Sequence, residues 1–366
     1  MTKKQILRVI GFFLAVCVMV VVLCDMFEQE NYTNYDRSYY TFRNLEKNTV
    51  DGVYIGTSGV DRYWISAKAY EEYGMTVYPL GFDAMASWMV PYVIEDVLTN
   101  QSPELILIDT RPFTQESVPE EADARSRRVM DAMSLFSPNR IRAAFKTMEV
   151  MHTLDESQPE FDISYILPFI KYHSKWSMDF RFDTNLGSRE HKFLGFYMND
   201  SLTVLVEEQT PVQYDPRGTA ELDPISEKAL YELLDYIGEK DLNALFVDTP
   251  QFFEGEEMPR ANRVYQILEE HGVDCISFYS GDTPNGFTLD LDPKQDFYNS
   301  GHVNYYGAEK FTDALSAYLD AHYDLPDRRS DPAVQSEWDG VYRSLCDTIH
   351  EYELRKKPAA EAAASE

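Results

Sequence analysis

The sequence predicts an α/β fold: a parallel five-stranded sheet covered by helices, one N-terminal transmembrane helix, and a mainly helical insertion. Three observations carry this. Five short apolar or β-branched runs end on turn residues, at Val50–Thr57, Thr76–Gly81, Glu104–Asp109, Ala244–Asp248 and Asp274–Phe278. Helical patterns stand between them, at Ser87–Leu98, Glu227–Ile237 and Arg260–His271; buried strands alternating with helices pair in parallel. An almost unbroken apolar run, Ile6–Cys24, opens the chain.

That run defines the first segment, residues 1–27. About 20 apolar residues cross a bilayer as a helix, and Lys3 and Lys4 before it favour a cytoplasmic N-terminus. Val21-Val22-Leu23-Cys24-Asp25 lacks the small residues a signal peptidase needs. An anchor that stays attached is therefore preferred over a cleaved leader. Residues 28–49 are polar and aromatic and read as a juxtamembrane lead-in. Residues 50–325 form the α/β domain, with residues 113–240 as its insertion between strands three and four. Within the insertion Arg125–Met151 looks helical, and Ile163–Phe196 is rich in aromatics, including His173 and Trp176. Such a segment suits a lid over the carboxyl edge of the sheet, where ligands of open α/β sheets bind. Packing onto the main core would use the same aromatics. Residues 326–355 read as a helical extension and 356–366 as a disordered tail.

Composition limits the function classes. The chain has 366 residues and a net charge of −29. Without residues 1–25, which hold Lys3, Lys4, Arg8 and Asp25, 30 basic and 61 acidic residues leave −31. A surface so acidic disfavours nucleic acid and anionic membrane surfaces. Cys275 and Cys346 lie outside the apolar run and are compatible with one disulfide or with two thiols; no zinc spacing and no cofactor motif is present.

Two segments carry candidate chemistry. Asp51-Gly52-Val53-Tyr54-Ile55-Gly56-Thr57-Ser58-Gly59 is a strand that delivers a serine to a glycine-flanked turn. Asp296-Phe297-Tyr298-Asn299-Ser300-Gly301-His302-Val303-Asn304 places a histidine on a loop before an amphipathic helix. A serine hydroxyl becomes nucleophilic when a base takes its proton, so the pair counts for more than either member. Oxyanion donors are expected from the N–H of Ser58, from Gly81 at the end of strand two, and from Arg111 after strand three. An ion pair between Arg111 and Asp109 is the competing reading. Gly59, His173 and Trp176 are expected to contact substrate.

The Gly-Thr-Ser turn, the glycine after strand two and the Asn299-Ser300-Gly301-His302 block resemble the SGNH (GDSL-type) hydrolases. They are most similar to the membrane-anchored extracytoplasmic branch, which includes the D-alanyl-transfer protein of teichoic acid modification and polysaccharide O-acetyltransferases. The resemblance covers residues 50–112 and 242–320. It implies a flavodoxin-like three-layer sandwich, Ser58 as nucleophile, His302 as base, and an acyl-serine intermediate. It further implies acylated cell-envelope polysaccharide or teichoic acid as partner, and a membrane-bound O-acyltransferase. Two departures stand out. Asn299 occupies the place of the aspartate that orients the histidine; its oxygen can still accept from the ring N–H and hold the tautomer but supplies no charge, so the site works as a Ser-His dyad or Asp296 reaches the ring instead. The asparagine after strand three is replaced by Thr110-Arg111. A catalytically attenuated envelope protein that binds glycan or a membrane acyltransferase partner is the alternative expectation.

Overall fold

The computed structural model describes residues 2–26, 34–135, 137–172, 192–198, 215, 218–252, 256–278 and 289–363. Helix α1 (Lys3–Met26) is the one helix, among the described residues, long and apolar enough to cross a membrane. Helix α2 (Asn34–Asn44) follows. The expected lead-in is therefore partly core: Tyr39 and Phe42 are buried, and their rings pack on Phe82 and Tyr78. Tyr39 and Phe42 thus serve the sheet.

Five strands, β1 (Gly52–Thr57), β2 (Val77–Phe82), β3 (Leu105–Asp109), β4 (Ala244–Asp248) and β5 (Asp274–Ser277), form one parallel sheet in the order β2-β1-β3-β4-β5. All five sequence runs are strands, each within two residues of its expected ends. Alternate side chains leave each strand on opposite faces. Val53, Ile55, Ile106, Ile108 and Phe246 enter one apolar cluster, whereas Tyr54, Leu105, Leu107, Leu245 and Val247 enter another.

Short α3 (Ser58–Asp61) leaves β1 and is followed by α4 (Ser66–Tyr73). A single 3₁₀ turn at Ser87–Met89 leads into α5 (Val90–Val97), which joins β2 to β3. Helix α6 (Arg111–Thr114) leads from β3 into the insertion, which holds α7 (Pro119–Ala132), α8 (Pro138–Leu154), α9 (Pro168–Lys171) and α10 (Pro224–Lys240). The single helix expected over Arg125–Met151 is two, because Ser137 caps a new start through Asn139 N and Pro138 occupies its first turn. Asp223 caps α10 in the same way, accepting from Ile225 N and Ser226 N. Helix α11 (Glu257–Glu270) joins β4 to β5. A small antiparallel hairpin, β6 (Phe297–Asn299) and β7 (His302–Val303), then leads into α12 (Tyr305–His322).

Residues of α5, α10 and α11 share the first cluster; residues of α12 share the second. The C-terminal extension is α13 (Pro332–Trp338) and α14 (Val341–Ala363). Helix α14 carries helical backbone into the stretch expected as a disordered tail; alanine-rich segments favour helix. Trp338 packs in the first cluster, Leu345 and Ile349 in the second, so this extension belongs to the core. Arg328 binds Asp51 through two nitrogens, at 2.8 and 2.5 Å, and ties the extension to the entry of β1. Cys275 and Cys346 are separate thiols: Cys275 packs in the first cluster, while Cys346 lies 3.9 Å from the hydroxyl of Tyr305, a residue of the second.

Candidate active site

The carboxyl ends of β1, β3 and β4 meet in register, with Ile55 beside Ile108 and Asp109 beside Val247. Strand β1 ends at Thr57, whose side chain caps α3 by accepting from Gly59 N. Ser58 is thus the first residue of a helical turn, where backbone N–H groups have no acceptor within the helix. Asp109 fixes this turn by accepting from Thr57 N at 2.9 Å and from the Thr57 hydroxyl. Gly56 makes the approach feasible: a Cβ there would come within 2.1 Å of Asp109 Cβ.

The hairpin at residues 297–303 presents His302. Its ring meets Ser58 Oγ through Nε2 at 2.7 Å and Asn299 Oδ1 through Nδ1 at 2.9 Å. Asn299 Oδ1 also accepts from Gly301 N at 3.0 Å, which identifies that atom as the oxygen. An oxygen acceptor requires the ring proton on Nδ1 and leaves a lone pair on Nε2, facing the serine. Asn299 therefore holds the tautomer a general base needs while supplying no charge.

The other predicted residues divide. Asp296 is not at the ring: its carboxylate binds Lys310 Nζ and Asp292 N, each at 2.6 Å. Its carbonyl accepts from Asn304 N, the cap of α12, and a Cβ on Gly307 would come within 2.4 Å of it. Asp296 thus serves the start of α12, and the role of orienter falls to Asn299. Arg111 donates through Nη1 to Gly301 O at 2.9 Å and through Nη2 to the Tyr63 hydroxyl at 3.2 Å, while its backbone N–H meets Asp109. Its guanidinium braces the turn that carries His302. Gly81 lies within β2, one residue before the strand's end at Phe82, opposite Gly56. A Cβ there would stand 2.8 Å from Asp61, so α3 closes directly onto it. Gly59 is buried, and a Cβ on it would meet Thr249 Oγ1 at 2.8 Å. His173 and Trp176 lie outside the described residues.

The sequence reading missed one residue in direct contact with His302. Arg62, the cap of α3, donates through Nη1 to His302 Nε2 at 2.9 Å and through Nη2 to Asp83 Oδ1 at 3.2 Å. Its guanidinium lies 5.0 Å over the Tyr197 ring. Burial, followed by the charges of Arg62 and Arg111, holds His302 well below its usual value of 6.5, so the ring is neutral at physiological pH. The Ser58–Arg62 spacing of four was the only available signal; it places both on one helical face. A second unread feature is Asp248, which accepts from the hydroxyls of Thr110 and Tyr265 under the same edge.

Among the described residues, no group of three His, Cys, Asp or Glu is arranged to hold a metal. The arrangement can take a proton from Ser58 and return it. No family model and no curated protein matches this chain.

Proposed function

We propose that this protein is a membrane-anchored, extracytoplasmic serine esterase or O-acyltransferase that acts on acyl groups of cell-envelope glycopolymers. One observation carries the reading: His302 joins Ser58 Oγ through Nε2 at 2.7 Å and Asn299 Oδ1 through Nδ1 at 2.9 Å, with the lone pair on the serine side. Nucleophile, base and orienter in this relation suit acyl transfer. Strand order β2-β1-β3-β4-β5 and an apolar cluster on each face support a flavodoxin-like three-layer sandwich of the SGNH type.

In this reading His302 Nε2 takes the Ser58 proton as Oγ bonds to the acyl carbon. The carbonyl electrons move to oxygen, which is held by N–H groups of Ser58 and Gly81. As the tetrahedral intermediate collapses, Nε2 gives its proton to the departing alcohol. Water or an acceptor hydroxyl then repeats the sequence on acyl-Ser58. The domain bearing these residues faces away from the cytoplasm, on a single-pass anchor. Its partners are an acylated polysaccharide or teichoic acid and a membrane-bound O-acyltransferase.

The test is covalent labelling of the full-length protein, in detergent micelles, by a fluorophosphonate. Wild type forms an adduct at Ser58, and Ser58→Ala and His302→Ala form none; an adduct that persists in Ser58→Ala refutes the assignment. The uncharged Asn299 favours a second reading, an attenuated SGNH-like protein that binds glycan. Glycan binding unchanged in the Ser58→Ala, His302→Ala double variant, with no turnover in wild type, would select it.

A further inference from the structure

A neutral imidazole nitrogen has one lone pair, and on His302 Nε2 two donors share it: Ser58 Oγ at 2.7 Å and Arg62 Nη1 at 2.9 Å. Once Nε2 takes the Ser58 proton it becomes a donor itself, and a guanidinium N–H at that distance then faces like with like. Each turnover therefore requires Arg62 to leave the ring. What would hold it elsewhere is negative charge. Its carboxylate partner, Asp83, has a side chain 47% exposed, while Arg62 is 17% exposed and so borders solvent. A second guanidinium, Arg111, lies behind Gly59 and braces Gly301. Thus one arginine touches the base at Nε2, and a second acts on it by charge from behind Gly59.

We propose that Arg62 is the anion-reading residue of the site: a carboxylate or phosphate carried by the substrate beside the reacting ester draws the guanidinium off His302 Nε2 and thereby frees the base for Ser58. The planar fork of arginine suits both anions, each binding two nitrogens at once. The site so described prefers an acyl ester with an oxyanionic group near the scissile bond, and its base is masked until that group arrives. The proposal rests on the acyl-serine reading for its catalytic consequence, but the anion site itself does not.

The groups facing His302 are Ser58 and Arg62 from α3, Asn299 from β6 and the Arg111 guanidinium, with Asp83 beyond Arg62. The test follows the ring of His302 by carbon-13 NMR in the full-length protein in micelles, assigned with His302→Ala. Inorganic phosphate is the phosphate arm, acetate the carboxylate arm, and sodium chloride at matched ionic strength the control. Phosphate or acetate raises the His302 titration midpoint and speeds fluorophosphonate labelling of Ser58 several-fold, and the stronger arm identifies the anion class. Arg62→Gln raises the midpoint without added anion and abolishes the response; Arg62→Lys, which keeps the charge without the fork, retains a weaker one. A midpoint that neither anion moves, or that moves equally in Arg62→Gln, overturns the proposal. A midpoint that responds in a wild-type protein whose Ser58 never labels upholds the anion site and overturns the acyl-serine reading.

Discussion

At the scale of single residues, the site differs from a charged serine triad by one atom pair, the amide of Asn299 where a carboxylate would stand. Replacing a triad aspartate by asparagine can cost about four orders of magnitude, mainly through the wrong tautomer. Here the tautomer is already right, because Asn299 Oδ1 is anchored by Gly301 N and accepts from the ring. What is missing is charge alone. Asn299→Asp is therefore expected to raise the turnover of p-nitrophenyl acetate by roughly 10- to 100-fold, the effect of one to two pKa units. The pH profile gives the sign. Burial and the two arginines hold His302 well below 6.5, so the base stays neutral and labelling of Ser58 persists as pH falls below that value. In Asn299→Asp the new negative charge raises the His302 pKa, and the acid limb of the labelling profile moves to higher pH. A limb that stays in place would show that residue 299 does not act on the ring.

At the scale of elements, the strand ends hold the site through two buried carboxylates, Asp109 and Asp248. Burial pushes Asp248 up to about 7, against the Thr110 hydrogen bond and the Arg111 charge. A carboxyl with its folded value above the unfolded one contributes stability at low pH, and loses it as pH rises from about 4 toward 7. Asp248→Asn removes that titration, so relative to wild type it gains about 2–3 kcal/mol more at pH 8 than at pH 5 in urea unfolding. Helix α2 makes a different prediction. Phe42→Ala, which empties the space beside Tyr78, is expected to cost about 3–5 kcal/mol, measured on the chain without its first 27 residues. The elements differ in how legible they were. Runs such as Leu105–Asp109 are buried on both faces and so read directly as strands, whereas the Asn299-to-His302 block read as a loop and is a two-stranded hairpin. Helix α2 was hidden because Tyr39 and Phe42 sit among polar residues, and only Tyr78 and Phe82, distant in sequence, give them a face to cover. Arg62 was hidden for the same reason: its meaning lies in His302, 240 residues away. Asp296 misled because spacing allowed it to reach the ring, while Lys310, a turn into α12, claims it.

At the scale of the whole molecule, the protein joins one apolar helix to a strongly acidic body, and the two halves are expected to respond oppositely to a bilayer. Helix α1 has the length and composition to cross the hydrocarbon core. The rest of the chain carries an excess of acidic over basic residues large enough to be repelled by anionic lipid, with repulsion that fades beyond a Debye length of about 8 Å at physiological salt. Membrane attachment should therefore depend on α1 alone. The full-length chain is expected to stay in the pellet after alkaline carbonate extraction. The chain without residues 1–27 is expected to be recovered in the soluble fraction, and to stay unbound to vesicles rich in phosphatidylserine even at low salt. Binding of the shortened chain to such vesicles would reveal a second membrane contact, which the acidic composition gives no reason to expect. The same charge argument bears on the site. Anionic groups are repelled by the body as a whole, so a carboxylate or phosphate that reaches Arg62 does so against that repulsion, drawn by the guanidinium only at close range. Raising ionic strength weakens both the distant repulsion and the local attraction. Because the repulsion acts over the longer range, moderate salt is expected to speed the labelling of Ser58 by an anionic phosphonate more than by a neutral one.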